Sequence, residues 1–165
     1  MTAQPDSQAS PSPETVASDV GARQRRLAIL VRTGRAELEA AWNGLADQPA
    51  YRRLKAPETG LAMIRARAGG VGQRFNFGEM TMTRCVVALD GTGAMGVGYV
   101  QGRDARKAEL VALFDALSLD AARCAEIEHA LIAPAEAAQV AARAARDAKV
   151  AATKVDFFTL VRGED

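Results

Sequence analysis

Histidine, cysteine and aromatic side chains are scarce in this chain of 165 residues, which has one His, two Cys, one Trp and an aromatic content of 5%. A lone histidine, His129, cannot supply a His-rich metal site, and Cys85 and Cys124 have neither CxxC spacing nor a nearby second ligand. No self-contained zinc or iron–sulfur centre is therefore expected, and no metal-binding residues are assigned. No basic stretch followed by an apolar one opens the sequence, so two cysteines fit a reducing cytoplasm better than a disulfide-stapled secreted scaffold. No apolar run approaches the roughly 20 residues that a bilayer requires, so no membrane partner is expected.

What is present is ordinary globular composition, 48% apolar and 25% charged. The length suits one domain, enough to bury roughly two thirds of its unfolded surface. Lys and Arg number 21 against 20 Asp and Glu, for a net charge of +1, which seen alone speaks against an anionic partner. The distribution says otherwise. Between Arg52 and Lys107 lie ten basic residues and four acidic ones, Glu58, Glu79, Asp90 and Asp104, so this block carries +6 and the remainder −5. The weight falls on where the arginines sit rather than on their total.

Residues 1–20 hold three prolines, four serines and almost nothing large and apolar, the composition of a disordered leader. From Gly21 the spacing turns helical: Leu27, Leu30 and Val31 share a face, Thr33-Gly34 supplies a stop of left-handed type, and Leu38, Ala41, Trp42 and Leu45 form a second stripe. A helical hairpin is expected. The period then shifts to 2. In 61–68, Leu61, Met63, Arg65 and Arg67 alternate with Ala62, Ile64, Ala66 and Ala68; 79–89 is a β-type run ended by Asp90-Gly91; and 95–101 returns after it. The expected fold is α+β, within a single domain spanning 21–153. Its antiparallel sheet has three to five strands over about 51–101, with a further strand around 51–56 and the C-terminal segment as candidates. Helices resume at the N-cap Asp104, with Leu110, Phe114 and Leu117 as the apolar stripe. A next helix capped by Ser118 or Asp120 faces Cys124, Ile127 and Leu131 inward, and Pro134 opens a last Ala-rich helix to about Thr153. The tail 154–165, dense in aromatic and β-branched residues, is either a docking segment or a last strand.

Gly91-Thr92-Gly93-Ala94-Met95-Gly96 spells GxGxxG, but a strand follows it where a dinucleotide site needs a helix, so a hairpin turn is expected. Gly69, Gly70 and Gly72 lie between Arg65, Arg67 and Arg74. Such a stretch is either an oxyanion-binding loop, its N–H groups supplemented by forked guanidinium donors, or a flexible connection with solvated arginines. Arg103, Arg106 and Lys107 at a helix N-terminus oppose the macrodipole and suggest a bound anion. Glu79 and Asp104 are candidate carboxylates, favoured as salt-bridge partners over general bases. His129, among Glu126 and Glu128, belongs on a solvated face. Arg74-Phe75-Asn76-Phe77 lacks the fuller pattern of an RNA-binding strand, and Phe75 and Phe77 are expected to anchor a core or an interface.

The runs ETGLAMIRARAGGVGQRFNFGEMTMTRC (58–85), GVGYVQGRDARKAEL (96–110) and VDFFTLVRG (155–163) resemble the PhnG family of the bacterial carbon–phosphorus lyase system. The resemblance covers about residues 22–163. It implies a core complex with the H, I and J subunits, PhnH, PhnI and PhnJ, joined by the ATPase-like K and L subunits. It also implies a role in phosphonate catabolism: forming α-D-ribose 1-methylphosphonate 5-triphosphate from ATP and methylphosphonate with release of adenine. The resemblance assigns the nucleosidase activity to PhnI, so this chain need not hold a nucleophile or base, and its catalytic residues are unassigned. ATP is then a substrate of the complex, and no cofactor is expected on the chain alone. The matching positions are Arg65, Arg67, Gly69, Gly70, Gly72, Arg74, Glu79 and Arg84, then Gly102, Arg103, Asp104 and Lys107. Asp156, Phe157, Phe158, Arg162 and Gly163 match in the tail.

The resulting expectation is a non-autonomous subunit. Arg65, Arg67, Gly69, Gly70, Gly72, Arg74, Arg84, Arg103 and Lys107 would serve anion binding, and Phe75, Phe77, Asp156, Phe157, Phe158 and Arg162 partner docking. The alternatives are a purely structural subunit, or an autonomous nucleotide- or RNA-binding module, although no nucleic acid is the expected partner. In isolation the apolar tail and last helix could support self-association.

Overall fold

The computed structural model describes residues 13–67 and 72–153. Helix α1 (Pro13–Leu30) begins inside the stretch expected to be a disordered leader, so residues 13–20 are helical and only residues 1–12 of that leader lie outside the described residues. Pro13 at the first position gives up an N–H that has no helical partner there. The hairpin to α2 (Arg35–Asn43) is present, but its hinge is not left-handed. Gly34 is extended, with φ −65° and ψ 146°, and serves as the N-cap of α2, while the Thr33 hydroxyl donates to the Ile29 carbonyl at 3.0 Å and closes α1.

The sheet has three antiparallel strands in the order β1 (Tyr51–Arg67), β2 (Arg74–Leu89) and β3 (Met95–Gln101). The strand expected around 51–56 is the first part of β1. Pro57, which looks like a break in sequence, falls in a register irregularity between Lys55 and Glu58. It is tolerated because β1 is an edge strand and a missing N–H there costs no ladder bond. The GxGxxG segment is the expected hairpin, with Gly91 and Gly93 at φ 83° and 68° and the Leu89 N–H donating to the Ala94 carbonyl at 2.9 Å.

Helix α3 (Ala105–Leu117) is the centre of the core. Sequence spacing marks only Leu110, Phe114 and Leu117 as its apolar side, yet ten of its thirteen residues are buried. The reason is a close approach that the glycines of β3 allow. A Cβ on Gly96 would lie 1.9 Å from the Ala112 carbonyl oxygen, and one on Gly98 1.9 Å from that of Ala108. The Ala108, Ala112 and Ala116 side of α3 thus lies directly on β3 backbone. Leu110, Leu113, Phe114 and Leu117 meet a cluster that includes Ile29, Leu30, Leu38, Trp42 and Ile127 on the other helices. Trp42 stands edge-on to Tyr51 and Phe114 at 6.2 and 6.3 Å.

The two expected C-terminal helices form one continuous run: α4 (Ala121–Ile127), a π-helical turn (Glu128–Ile132) and α5 (Ala133–Ala152). Pro134 follows the wide turn, which relieves the clash between its ring and the carbonyl four residues earlier. Ile127 and Leu131 point inward as expected, whereas Cys124 is only half-buried. Val140 and Val150 on α5 are exposed rather than packed. The tail 154–165, with Asp156, Phe157, Phe158, Arg162 and Gly163, lies outside the described residues. No described helix is long and apolar enough to cross a membrane.

Candidate functional site: a basic two-stranded arm

Strand β3 pairs with β2 only from Met82 to Ala88, whereas β1 and β2 pair on to Arg67 and Arg74. Residues 61–67 and 74–81 therefore leave the body as a two-stranded arm. The alternation seen in sequence holds along β1: Leu61, Met63, Arg65 and Arg67 are exposed, and Ala62, Ile64 and Ala66 are half-buried. Across the arm Met63 stands opposite Glu79, Arg65 opposite Asn76, and Arg67 directly opposite Arg74.

At its end Arg65, Arg67, Gly72, Gln73 and Arg74 line an open cavity of about 530 Å³. Facing like charges across a strand pair are destabilising on their own, so the Arg67–Arg74 pairing is a place where an added anion relieves repulsion. Among the described residues, no carboxylate pairs with these three arginines. Gly69 and Gly70, expected to complete this loop, lie outside the described residues.

Phe75 and Phe77 touch each other, with ring centroids 6.2 Å apart, and are 46% and 69% exposed. Among the described residues they are not part of the buried core; of the two roles expected, an interface is the one their exposure leaves open. A register shift between Ile64 and Arg65 places Phe77 in a bulge, so strict alternation does not carry through both rings.

Four of the other seven cations in the +6 block, Arg53, Lys55, Arg84 and Arg106, are paired within the fold. Arg84 donates to Glu58 at 3.0 Å and Lys55 approaches the same carboxylate at 2.8 Å, so Arg84 is spent on an ion pair rather than left for an anion. Those two hydrogen bonds hold the Glu58 carboxyl below its ordinary range. Arg106 pairs with Glu109 at 2.9 Å, Arg53 with the same group at 2.5 Å, and the Tyr51 hydroxyl donates to it at 3.0 Å. Burial alone would push the Glu109 carboxyl up, but these three donors more than reverse it and hold it low. Burial and the Glu109 charge push the Cys85 thiol up, Arg53 partly opposing.

The anion expected at the α3 N-terminus is supplied internally. Asp104 accepts from the Lys107 N–H at 2.9 Å and caps the helix, which makes it a structural carboxylate and not a free base. Arg103 is exposed, and the Lys107 side chain turns elsewhere, toward α1 and α5. Glu79 has no salt bridge among the described residues, contrary to the expected pairing.

Two carboxylates that sequence spacing did not single out organise the body. Glu109 and Asp115 are both buried on α3. Asp115 accepts two bonds from Arg23, at 2.9 and 2.7 Å, and one from the Val97 N–H at 2.9 Å. The signal was available: acids within a run that otherwise reads AELVALFDAL on a central helix need partners.

Buried hydroxyls and the thiol are equally committed. Thr83 donates to the Gly102 carbonyl at 2.7 Å, Ser118 to that of Phe114 at 2.7 Å, and the Cys85 sulfur lies 3.4 Å from the Lys55 carbonyl oxygen. None of these is hydrogen-bonded to a base that would activate it. Among the described residues no group of three His, Cys, Asp or Glu could hold a metal ion.

The described residues thus form an α+β body crossed by internal ion pairs and a projecting two-stranded arm on which arginines and phenylalanines are exposed. The family model described as "Phosphonate metabolism protein PhnG" matches residues 21–163. A relative from Rhizobium meliloti (strain 1021), "Alpha-D-ribose 1-methylphosphonate 5-triphosphate synthase subunit PhnG", is 44% identical over 150 residues, covering 89% of this chain and 94% of the relative. The chain belongs to the PhnG family of phosphonate metabolism.

Proposed function

We propose that this chain is a cytoplasmic subunit of the complex that makes α-D-ribose 1-methylphosphonate 5-triphosphate from ATP and methylphosphonate with release of adenine, a transferase reaction. Its partners in this reading are the H, I and J subunits, with the ATPase-like K and L subunits. The observation that carries the proposal is the near full-length similarity to a relative named as a subunit of that synthase. This chain's own part is to hold or orient the phosphonate and triphosphate groups at a joint with a catalytic partner. Arg65, Arg67 and Arg74 are the residues of choice, since each guanidinium offers forked donors matched to phosphoryl oxygens.

The test is the triple variant R65A/R67A/R74A in the co-expressed complex. Loss of adenine release by about tenfold or more, with subunit stoichiometry unchanged, is the expected result, because charge-assisted bonds to phosphate are lost and exposed side chains leave the fold intact. A second reading, a scaffold whose arm docks on a partner's acids, is favoured by the exposed Phe75–Phe77 pair beside the arginines. In that case the triple variant, or F75A/F77A, dissociates from its partners, and any activity lost follows assembly.

A further inference from the structure

A second concentration of positive charge lies away from the arm, where four elements meet. Arg32 just beyond α1, Gln101 at the end of β3, Lys107 in the first turn of α3, and Gln139, Arg143 and Arg146 on α5 line a cavity of about 510 Å³. The α5 residues recur at i, i+4 and i+7, one face of that helix. Their register is fixed by Gln139, whose side-chain amide donates to the Ile29 carbonyl at 3.1 Å and so ties α5 to the end of α1. Arg32 is also tethered, one guanidinium nitrogen donating to the Ala28 carbonyl at 2.7 Å while the others stay available.

Four cations and, among the described residues, no carboxylate line this cavity, even though the sequence outside residues 52–107 is net acidic. None of the four has an ion-pair partner among the described residues. The body elsewhere brings acids to its arginines, as Glu109 does to Arg53 and Arg106 and Asp115 does to Arg23. Here the same solution is missing from a concave site whose volume lies within the roughly 300–1,000 Å³ typical of small-molecule pockets. Among the described residues the lining offers Val31 and Ala142 but no large aromatic or aliphatic anchor, the apolar centre that a protein partner grips.

We propose that this cavity is a polyphosphate-binding site, taking a chain of linked phosphoryl groups either free or carried by a nucleotide. Arg32, Lys107, Arg143 and Arg146 bond the phosphoryl oxygens, and the Gln101 and Gln139 amides border the site. The proposal does not depend on the arm's role in the complex, since it shares no residue with the cavity at the arm's tip.

Calorimetry of the full chain at low salt, with inorganic triphosphate and separately with ATP, tests it in three forms: unaltered, R143A/R146A and R65A/R67A/R74A. Both α5 positions are exposed and alanine suits a helix, so the first variant keeps the fold, which circular dichroism checks. The expected result is saturable triphosphate binding that weakens about tenfold or more in R143A/R146A, persists in R65A/R67A/R74A and falls steeply as salt is added. Lys107→Ala weakens it as well. Equal affinity for ATP and triphosphate assigns recognition to the phosphates alone, and tighter ATP binding assigns the source as a nucleotide. No saturable triphosphate binding in the unaltered chain overturns the proposal, as does binding that R143A/R146A leaves unchanged. Failure of the arm variant to reduce adenine release would instead count against the arm's proposed role and leave this site standing.

Discussion

The body and the arm treat arginine in opposite ways. In the body each buried acid of α3 gathers guanidinium groups around it: Glu109 takes Arg53 and Arg106, and Asp115 takes Arg23. On the arm Arg67 faces Arg74 across the strands with no acid beside them among the described residues. The phenylalanines divide likewise, Phe114 being fully buried and edge-on to Trp42 while Phe75 and Phe77 touch each other and stay exposed. Where α3 covers the sheet, these side chains are packed or paired within the fold; where β3 and α3 stop, the same residue types stay exposed.

This contrast can be broken from the body side first. Gly98→Ala forces a Cβ to within 1.9 Å of the Ala108 carbonyl oxygen, a backbone atom that cannot swing aside. The expected loss is about 3 kcal/mol or more, read from urea or thermal unfolding. A loss under about 1 kcal/mol would mean that α3 lifts easily from β3, against the packing described.

Glu109→Ala ranks next, leaving two guanidinium groups and the Tyr51 hydroxyl without their acceptor. About 2–3 kcal/mol is expected, at the low end for a buried pair because both arginines are partly solvated. The same carboxyl sets an acid dependence. Its pKa is lowered on folding from an ordinary 4.5, so its contribution is present above pH 4.5 and disappears as pH falls through the lower folded value. Unfolding midpoints measured across that window should drop more in the unaltered protein than in Glu109→Gln.

On the arm the expected effects on stability are small. Phe77→Ala should change the unfolding free energy of the isolated chain by no more than about 0.5 kcal/mol, since its ring is mostly solvated. Arg74→Ala should be neutral or stabilising by a few tenths of a kcal/mol, because it removes a like charge directly opposite Arg67. A loss of more than about 1 kcal/mol from either would place those side chains in the fold's own packing and erase the contrast.

Much of this was legible in residue order. The helical hairpin, the alternation along residues 61–67, the rejection of a dinucleotide turn and the clustering of Arg65, Arg67 and Arg74 all rest on local spacing, which persists in the structure, although the strand itself begins earlier, at Tyr51. Spacing read Asp104 correctly as a cap and structural carboxylate, but it did not foresee that Arg84 pairs with Glu58, because a charge total over a block cannot say which acid folds back onto which base. It also passed over Arg32, Arg143 and Arg146, which are separated along the chain and diluted among acids until α5 returns to α1.

Local order along the chain thus determined the elements, their faces and the family, since periodicity and motif are properties of neighbours in sequence. Tertiary structure decided which of the charges remain unneutralised. Gly96 and Gly98 let α3 settle onto β3, and the short reach of β3 leaves the distal pairing of β1 and β2 uncovered. Electrostatic pairing depends on distances across the fold, which spacing along the chain does not contain.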